Sequence, residues 1–387
     1  MPWKECKIVN ERMRFVLRLE SGERMTDLCA EFGISRKTGY KILKRYNDLG
    51  PSGLFNESRR PYTNPNQTDE YIEHMIITLK DQRPTWGPDK LRAFLRNKHP
   101  KIPFPSRNTF YNILLKHDLV KKRKKRSKYK SKGTTLRETA SPNELWCIDF
   151  KGDYFLGNKK RCYPLTLSDH YSRYILNCTA LETKGFGGVF AAMEDAFTAF
   201  GVPKAIRSDN GTPFSSTAIL GLSKLNVWWM KLGIDIELTR PANPQDNGRH
   251  ERMHRTLKED VLKFKAKNVL HQQEIFDDYI IDFNTNRPHE ALKNKTPSDM
   301  YTCSSNEFHI LDYDYRECEL VKRVSQCGSV SWENKKKFFI SEAIGKEEVG
   351  IKEVENKMWR VQFRDLVLGH FDEESEKFSS MRERIKV

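Results

Sequence analysis

The chain has 387 residues, too many for one ordinary domain, and its 37% hydrophobic and 31% charged content suits several modest cores better than one large core. No apolar run reaches the roughly 18–20 residues of a membrane span, and the first residues lack the apolar stretch of a secretory signal. The 8 cysteines include no C-x-x-C pair, which argues against a zinc ribbon or a disulfide framework and for a reducing, cytoplasmic setting with no membrane partner. Charge is unevenly divided. Residues 1–142 carry 32 Lys and Arg against 15 Asp and Glu, a net of +17, whereas residues 143–387 carry 36 against 37, a net of −1. A polyanion, most often nucleic acid, is the expected partner of the N-terminal third.

In chain order, residues 4–19 space Ile8, Val9, Met13, Val16 and Leu17 as one helix face. A short helix with Met25, Leu28, Cys29 and Phe32 follows, then Gly33 as a helix stop and Ser35 as a cap. The third helix is basic and offers Arg36, Lys37, Tyr40 and Lys41 to DNA, which completes a helix-turn-helix pattern over residues 1–58. Pro51, Gly53, Pro61 and Pro65 read as a linker. Residues 66–119 repeat the design, with Arg107 and Asn108 exposed on its last helix. Residues 120–142 form a basic linker; nine of the twelve residues from 121 to 132 are basic, including Lys121, Lys122, Arg123, Lys124, Lys125 and Arg126. Such a run tracks phosphates and makes binding steeply salt-dependent.

Residues 143–300 alternate strands, at Leu145–Phe150, Tyr163–Ser168, Arg173–Ala180, Ala205–Ser208 and Ile234–Thr239, with helices at about 185–200, 217–231, 248–266 and 272–286. An α/β domain with a mixed sheet is expected. Residues 305–387 favour period-two runs such as Trp359–Phe363 and read as a small antiparallel barrel or sheet. Trp146, Trp228, Trp229 and Cys147 read as packing residues.

Three acids stand out by context. Asp149 lies inside the apolar strand Trp146-Cys147-Ile148-Asp149-Phe150, where a carboxylate is costly without a partner or metal. Asp209 ends a strand and precedes the turn Asn210-Gly211, and Glu251 follows Pro244-Gln245-Asp246-Asn247-Gly248 in the first turn of a helix. On that helix Arg255 and Lys258 share the Glu251 side. The run His250-Glu251-Arg252-Met253-His254 also fits H-E-x-x-H, whose remote reading is a zinc protease with Glu251 as base. No third zinc ligand with recognised spacing follows it.

Together the strand around Asp149, the run Ser208–Phe214, the run Pro244–Arg252, and the stretches Asn286-Arg287-Pro288-His289-Glu290-Ala291-Leu292 and Thr296-Pro297 resemble the D,D,E transposases and retroviral-type integrases. The resemblance is nearest to the IS481 group of bacterial insertion-sequence transposases, itself similar to the IS3 group. It implies a multidomain fold: helical helix-turn-helix modules, a central RNase H-like α/β core over 143–300, and a small C-terminal β domain over 305–387. It further implies a bacterial, nucleoid-associated enzyme in which Asp149, Asp209 and Glu251 hold two Mg²⁺, with Mn²⁺ as a substitute. That enzyme binds terminal inverted repeats and target double-stranded DNA as a dimer or larger assembly, cleaves 3′ ends and transfers strands. A basic residue seven after the glutamate, here Lys258, contacts the transposon end, and Arg255 lies beside it. One departure is clear: 41 residues separate Asp209 from Glu251, more than these families typically have. The extra length is expected as an enlarged helix around Leu220–Met230. The competing readings are a helix-turn-helix regulator with a decayed core and a general RNase H-type nuclease. All three carboxylates are kept, and a large sequence-reading N-terminus is present, which disfavours both.

Overall fold

The computed structural model describes residues 8–57, 67–120, 136–216, 218–240, 244–262, 266–333 and 336–381. The chain divides into two compact units, Met1–Thr68 and Asp69–Val387. The candidate contacts Lys121, Lys122, Arg123, Lys124, Lys125 and Arg126 lie outside the described residues.

The first unit holds α1 (Ile8–Glu20), α2 (Met25–Glu31) and α3 (Arg36–Leu49) around Phe15, Val16, Leu28, Cys29 and Leu54. Ser35 caps α3 by accepting from the Thr38 amide, 3.2 Å away, the role its position suggests. Residues 50–54, expected to open a linker, instead form a 3-10 turn that buries Leu54 against the helices. A Cβ at Gly53 would lie 2.1 Å from the Arg45 carbonyl oxygen, so only glycine allows that approach.

The second unit begins with α4 (Glu70–Gln82), α5 (Pro88–Lys98) and α6 (Arg107–Lys116), packed on Ile76, Trp86, Leu91 and Phe110. Asp69 and Ser106 cap α4 and α6. The mixed sheet comprises β1 (Trp146–Phe150), β2 (Tyr154–Phe155), β3 (Arg161–Asp169), β4 (Ile175–Leu181), β5 (Ala205–Ser208) and β6 (Asp235–Leu238). β3 pairs antiparallel with β1, β2 and β4, whereas β1, β5 and β6 run parallel. This mixed sheet agrees with the RNase H-like core that the resemblance implies. α7 (Phe186–Phe200) and α8 (Lys224–Lys231) bury Val189, Phe197, Leu225 and Trp229 with Trp146, Ile148, Leu165 and Leu167. α9 (Gly248–Asp260) and α10 (Val269–Asn286) pack with Ile175, Cys178, Met253, Leu257, Phe276 and Phe283 in a separate cluster. Strand alternation thus turns Trp146 and Ile148 toward α7 and leaves Asp149 to the α9 side. Among the described residues no helix is long and apolar enough to cross a membrane.

The C-terminal strands are β7 (Leu320–Arg323), β8 (Ser329–Ser331), β9 (Lys337–Phe339), β10 (Glu348–Glu355), β11 (Met358–Phe363), β12 (Leu366–Asp372) and β13 (Lys377–Ser380). Five form an antiparallel sheet in the order β13-β12-β11-β10-β7, and β8–β9 form a hairpin.

The extra length between Asp209 and Glu251 is not an enlarged helix. It is a 3-10 turn, Ile219–Gly221, with Leu220 at φ 55, followed by the eight-residue α8. Leu220, Leu222 and Val227 share a core with Val330, Trp332, Ile344 and Phe371 of the C-terminal sheet. Apolar demand from that second partner, invisible in local periodicity, sets its shape. Two other helix ends differ: α9 stops at Asp260, short of 266, and α10 starts at Val269, earlier than 272.

Candidate active site and nucleic-acid interface

Asp149 sits on β1 directly across from Thr166 of β3, with its side chain 25% exposed. Burial raises its carboxyl pKa to about 7, and the negative charges of Asp209 and Glu251 add to the rise, while Lys151 opposes it. The fold therefore brings Asp209 and Glu251 within electrostatic reach of Asp149. Asp209 and Glu251 are exposed. Asp209 Oδ1 accepts from the Gly211 amide at 3.1 Å, and a Cβ at Gly211 would sit 3.1 Å from Asp209 Oδ2. Glycine keeps that turn clear of the carboxylate.

Asp149 feels the negative charges of Asp209 and Glu251, and carboxylate oxygens are the hard donors that a divalent cation prefers. That chemistry fits Mg²⁺ or Mn²⁺. Among the described residues, however, no three His, Cys, Asp or Glu side chains stand close enough to form a ready-made cage. The acids are neighbours by charge and separate in contact.

The helix carrying Glu251 is set by groups that sequence reading missed. Arg207 and Glu237 form a buried pair, and Arg207 also donates to the Asp246 carbonyl at 2.9 Å. The Asp246 carboxylate accepts from Arg240, fixing the loop that leads into α9. A charged residue in each of two parallel core strands was the available signal. His250 and His254 point into the core, where burial lowers their pKa values to about 3 and about 2. Thr166 and Ser168 occupy both ring nitrogens of His250, and Thr166 occupies Nε2 of His254, whose Nδ1 lies 3.8 Å from Asp149 Oδ2. Ser168 and Thr166 alternate on β3, on the face of the strand that meets α9.

Arg255 and Lys258 are exposed, and helical spacing places them on the Glu251 flank. Arg36, Lys37, Tyr40 and Lys41 are all exposed on α3, and Arg107 and Asn108 on α6. Arg107 also pairs with Asp89 at 2.6 Å, so part of its charge is already engaged.

The integrase core domain family matches residues 139–244, and a second integrase core family matches 232–297. A helix-turn-helix domain matches 11–62 and a homeodomain-like domain 38–114. The chain is 26% identical over 239 residues to the uncharacterized 31.7 kDa protein of insertion element IS407 from Burkholderia multivorans, covering 61% of this chain and 82% of that one. It is 24% identical over 251 residues to the uncharacterized 39.2 kDa protein of insertion element IS476 from Xanthomonas euvesicatoria, covering 64% of this chain and 69% of that one. An integrase core beside helix-turn-helix domains, in a chain similar to insertion-element proteins, supports a function in DNA transposition or integration. These matches do not single out the IS481 group. A solved HTLV-2 integrase catalytic core overlays 43% of this chain and all of that one at 16% identity, with a TM-score of 0.32, too low to bear weight. An integrase core carries polynucleotidyl transfer, and the paired DNA-binding domains make DNA its partner.

Proposed function

We propose that this chain is a transposase that binds the terminal inverted repeats of an insertion sequence, cleaves their 3′ ends and joins them to target DNA through Asp149, Asp209 and Glu251. The observation that carries the residue assignment is the Asp149 carboxyl, pushed to about 7 by burial and by the charges of Asp209 and Glu251. Such a frustrated carboxylate is stable only with a proton or a cation beside it. Two Mg²⁺ or Mn²⁺, when bound, supply an activated water or 3′-hydroxyl and a stabilised leaving oxygen.

The protein's own groups do the rest. Asp149, held on β1, is the fixed ligand. Asp209 at the end of β5 and Glu251 in the first turn of α9 approach from separate elements, which leaves room for phosphate oxygens. Arg255 and Lys258 continue the Glu251 flank with positive charge that orients the DNA backbone. Arg36, Lys37, Tyr40 and Lys41 read one part of the end, Arg107 and Asn108 another, and the basic segment from Lys121 to Arg126 follows phosphates. Joining two ends in concert calls for a dimer or larger assembly on DNA, in a bacterial cytoplasm. The domain limits that fit this division of labour are 1–58, 66–119, 120–142, 143–300 and 305–387.

The test is a strand-transfer assay with the element's own terminal DNA and Mg²⁺, comparing the native chain with Asp149→Asn, Asp209→Asn and Glu251→Gln. Product from the native chain alone, with end binding kept in all four, supports the reading. Tight end binding without product from any of them, across Mg²⁺ and Mn²⁺, favours the regulator. Native-level product from any variant removes that residue from the site.

A further inference from the structure

The His250–His254 run contributes only Glu251 to the proposed chemistry, yet its two histidines join a buried polar cluster beside the site. Thr166 Oγ1 lies 3.0 Å from the Asp149 carbonyl oxygen, 2.7 Å from His250 Nε2 and 2.6 Å from His254 Nε2. A hydroxyl has one proton and two acceptor positions. A carbonyl only accepts, so the Thr166 proton goes to Asp149. Each imidazole must then donate its Nε2–H to Thr166. Ser168 Oγ completes the set by donating to His250 Nδ1 at 2.8 Å. Thr166, His250, Ser168 and His254 are all buried, and the four hydrogen bonds are mutually consistent, with His254 Nδ1 left unprotonated 3.8 Å from Asp149 Oδ2.

We propose that Thr166 is a positioning residue whose single hydroxyl locks the strand carrying Asp149 to the helix carrying Glu251. This rests on the reading of those two acids as catalytic. Thr166 faces Asp149 across the β1–β3 pair and grips its backbone carbonyl, so its hydroxyl does not occupy the carboxylate. The two histidines lie one helical turn apart and flank Glu251 along the chain. Sliding or rotating α9 breaks at least one of their bonds to Thr166. The spacing of the two carboxylates is thereby fixed before DNA or metal arrives, and a misplacement near 1 Å at such a site can cost about a hundredfold in rate.

The full chain is tested as Thr166→Val, which keeps shape and removes the hydroxyl, and as Thr166→Ser, which keeps the hydroxyl. Both are scored by thermal unfolding, end-DNA affinity, strand-transfer rate and the Mg²⁺ concentration at half-maximal rate. Thr166→Val should bind ends normally, transfer strands roughly tenfold or more slowly, and need more Mg²⁺, while Thr166→Ser recovers most of the rate. Histidine-selective ¹⁵N spectra of the native chain should show His250 and His254 as Nε2–H tautomers. Native rate and metal response in folded Thr166→Val, a serine variant as slow as the valine one, or Nδ1–H at either histidine would each overturn the proposal. If Thr166→Val does not fold, His254→Gln, which retains a donor, is compared with His254→Leu, which does not; equal rates are the overturning result. Asp149→Asn and Glu251→Gln run alongside. Activity in either one sinks the catalytic reading and the lock with it. Silence in both beside a fast, folded Thr166→Val sinks the lock alone.

Discussion

Arg207 and Glu237 face each other across the parallel β5–β6 pair, 3.0 Å apart and 1% and 3% exposed. Arg207 also donates to the carbonyl of Asp246, and Glu237 accepts from the Arg137 amide at 2.9 Å. The pair thus ties the strand that ends at Asp209 to the loop that enters the Glu251 helix. Arg207→Met leaves Glu237 buried without its cation, and a loss of about 3–5 kcal/mol is expected in urea unfolding. The double variant Arg207→Met/Glu237→Leu should recover most of that stability, yet strand transfer should stay depressed because the Asp246 loop has lost its anchor. Equal stability of single and double variants would refute this.

That pair also shows what was legible in the sequence. Asp149, Asp209 and Glu251 stood out because each broke a local pattern: an acid in an apolar strand, an acid at a sharp turn, an acid opening a helix. The helix cap at Ser35 was readable for the same local reason. Arg207 and Glu237 lie 30 residues apart, and their pairing exists only once β5 and β6 are neighbours. The two histidines were visible but misleading, because H-E-x-x-H spacing records which residues share a helix face and says nothing of what faces them. Thr166 gave no signal at all. Its partners come from β1 and α9, and only the folded sheet assembles them.

Stability should depend on pH through the same site. The folded-state value of about 7 for Asp149 lies above its ordinary 3.8, so the folded chain keeps a proton that the unfolded chain has released between those limits. Stability from this group is therefore full at low pH and falls as pH rises through that window, by at most about 4 kcal/mol. His250 and His254 act in the opposite sense: held below 6.5, they cost stability as pH falls below that value. The comparison of native chain with Asp149→Asn isolates the first trend. The native Tm should drop relative to the variant between pH 5 and 8, and Mg²⁺ should restore more of it at pH 8 than at pH 6. A constant difference across that range would contradict the assignment.

Trp86 of the second helical module is fully buried, with the guanidinium of Arg83 5.2 Å and that of Arg287 5.8 Å from its ring centre. Arg83 pairs with Asp282 of α10, and Thr85 donates to Asp260 of α9 at 3.1 Å. Asp282→Ala should cost about 1 kcal/mol, since the pair is partly exposed, and Trp86→Ala about 3–5 kcal/mol. Hydrogen exchange should quicken in α4–α6 before it does in the central sheet. Uniform quickening throughout the unit would show that the helical module is not separately secured.

The residues between Asp209 and Glu251 have a consequence for how such a protein can change over generations. Leu220, Leu222 and Val227 belong to the catalytic domain by sequence and to the C-terminal sheet by packing. Lys231 reinforces the seam through Glu347 at 2.9 Å. Neither side is a detachable appendage: exchanging the sheet for that of a relative with a shorter insert would strand an apolar surface in water. The insert and the sheet are thus inherited as one piece, and a change in either is tolerated only where the other changes to match.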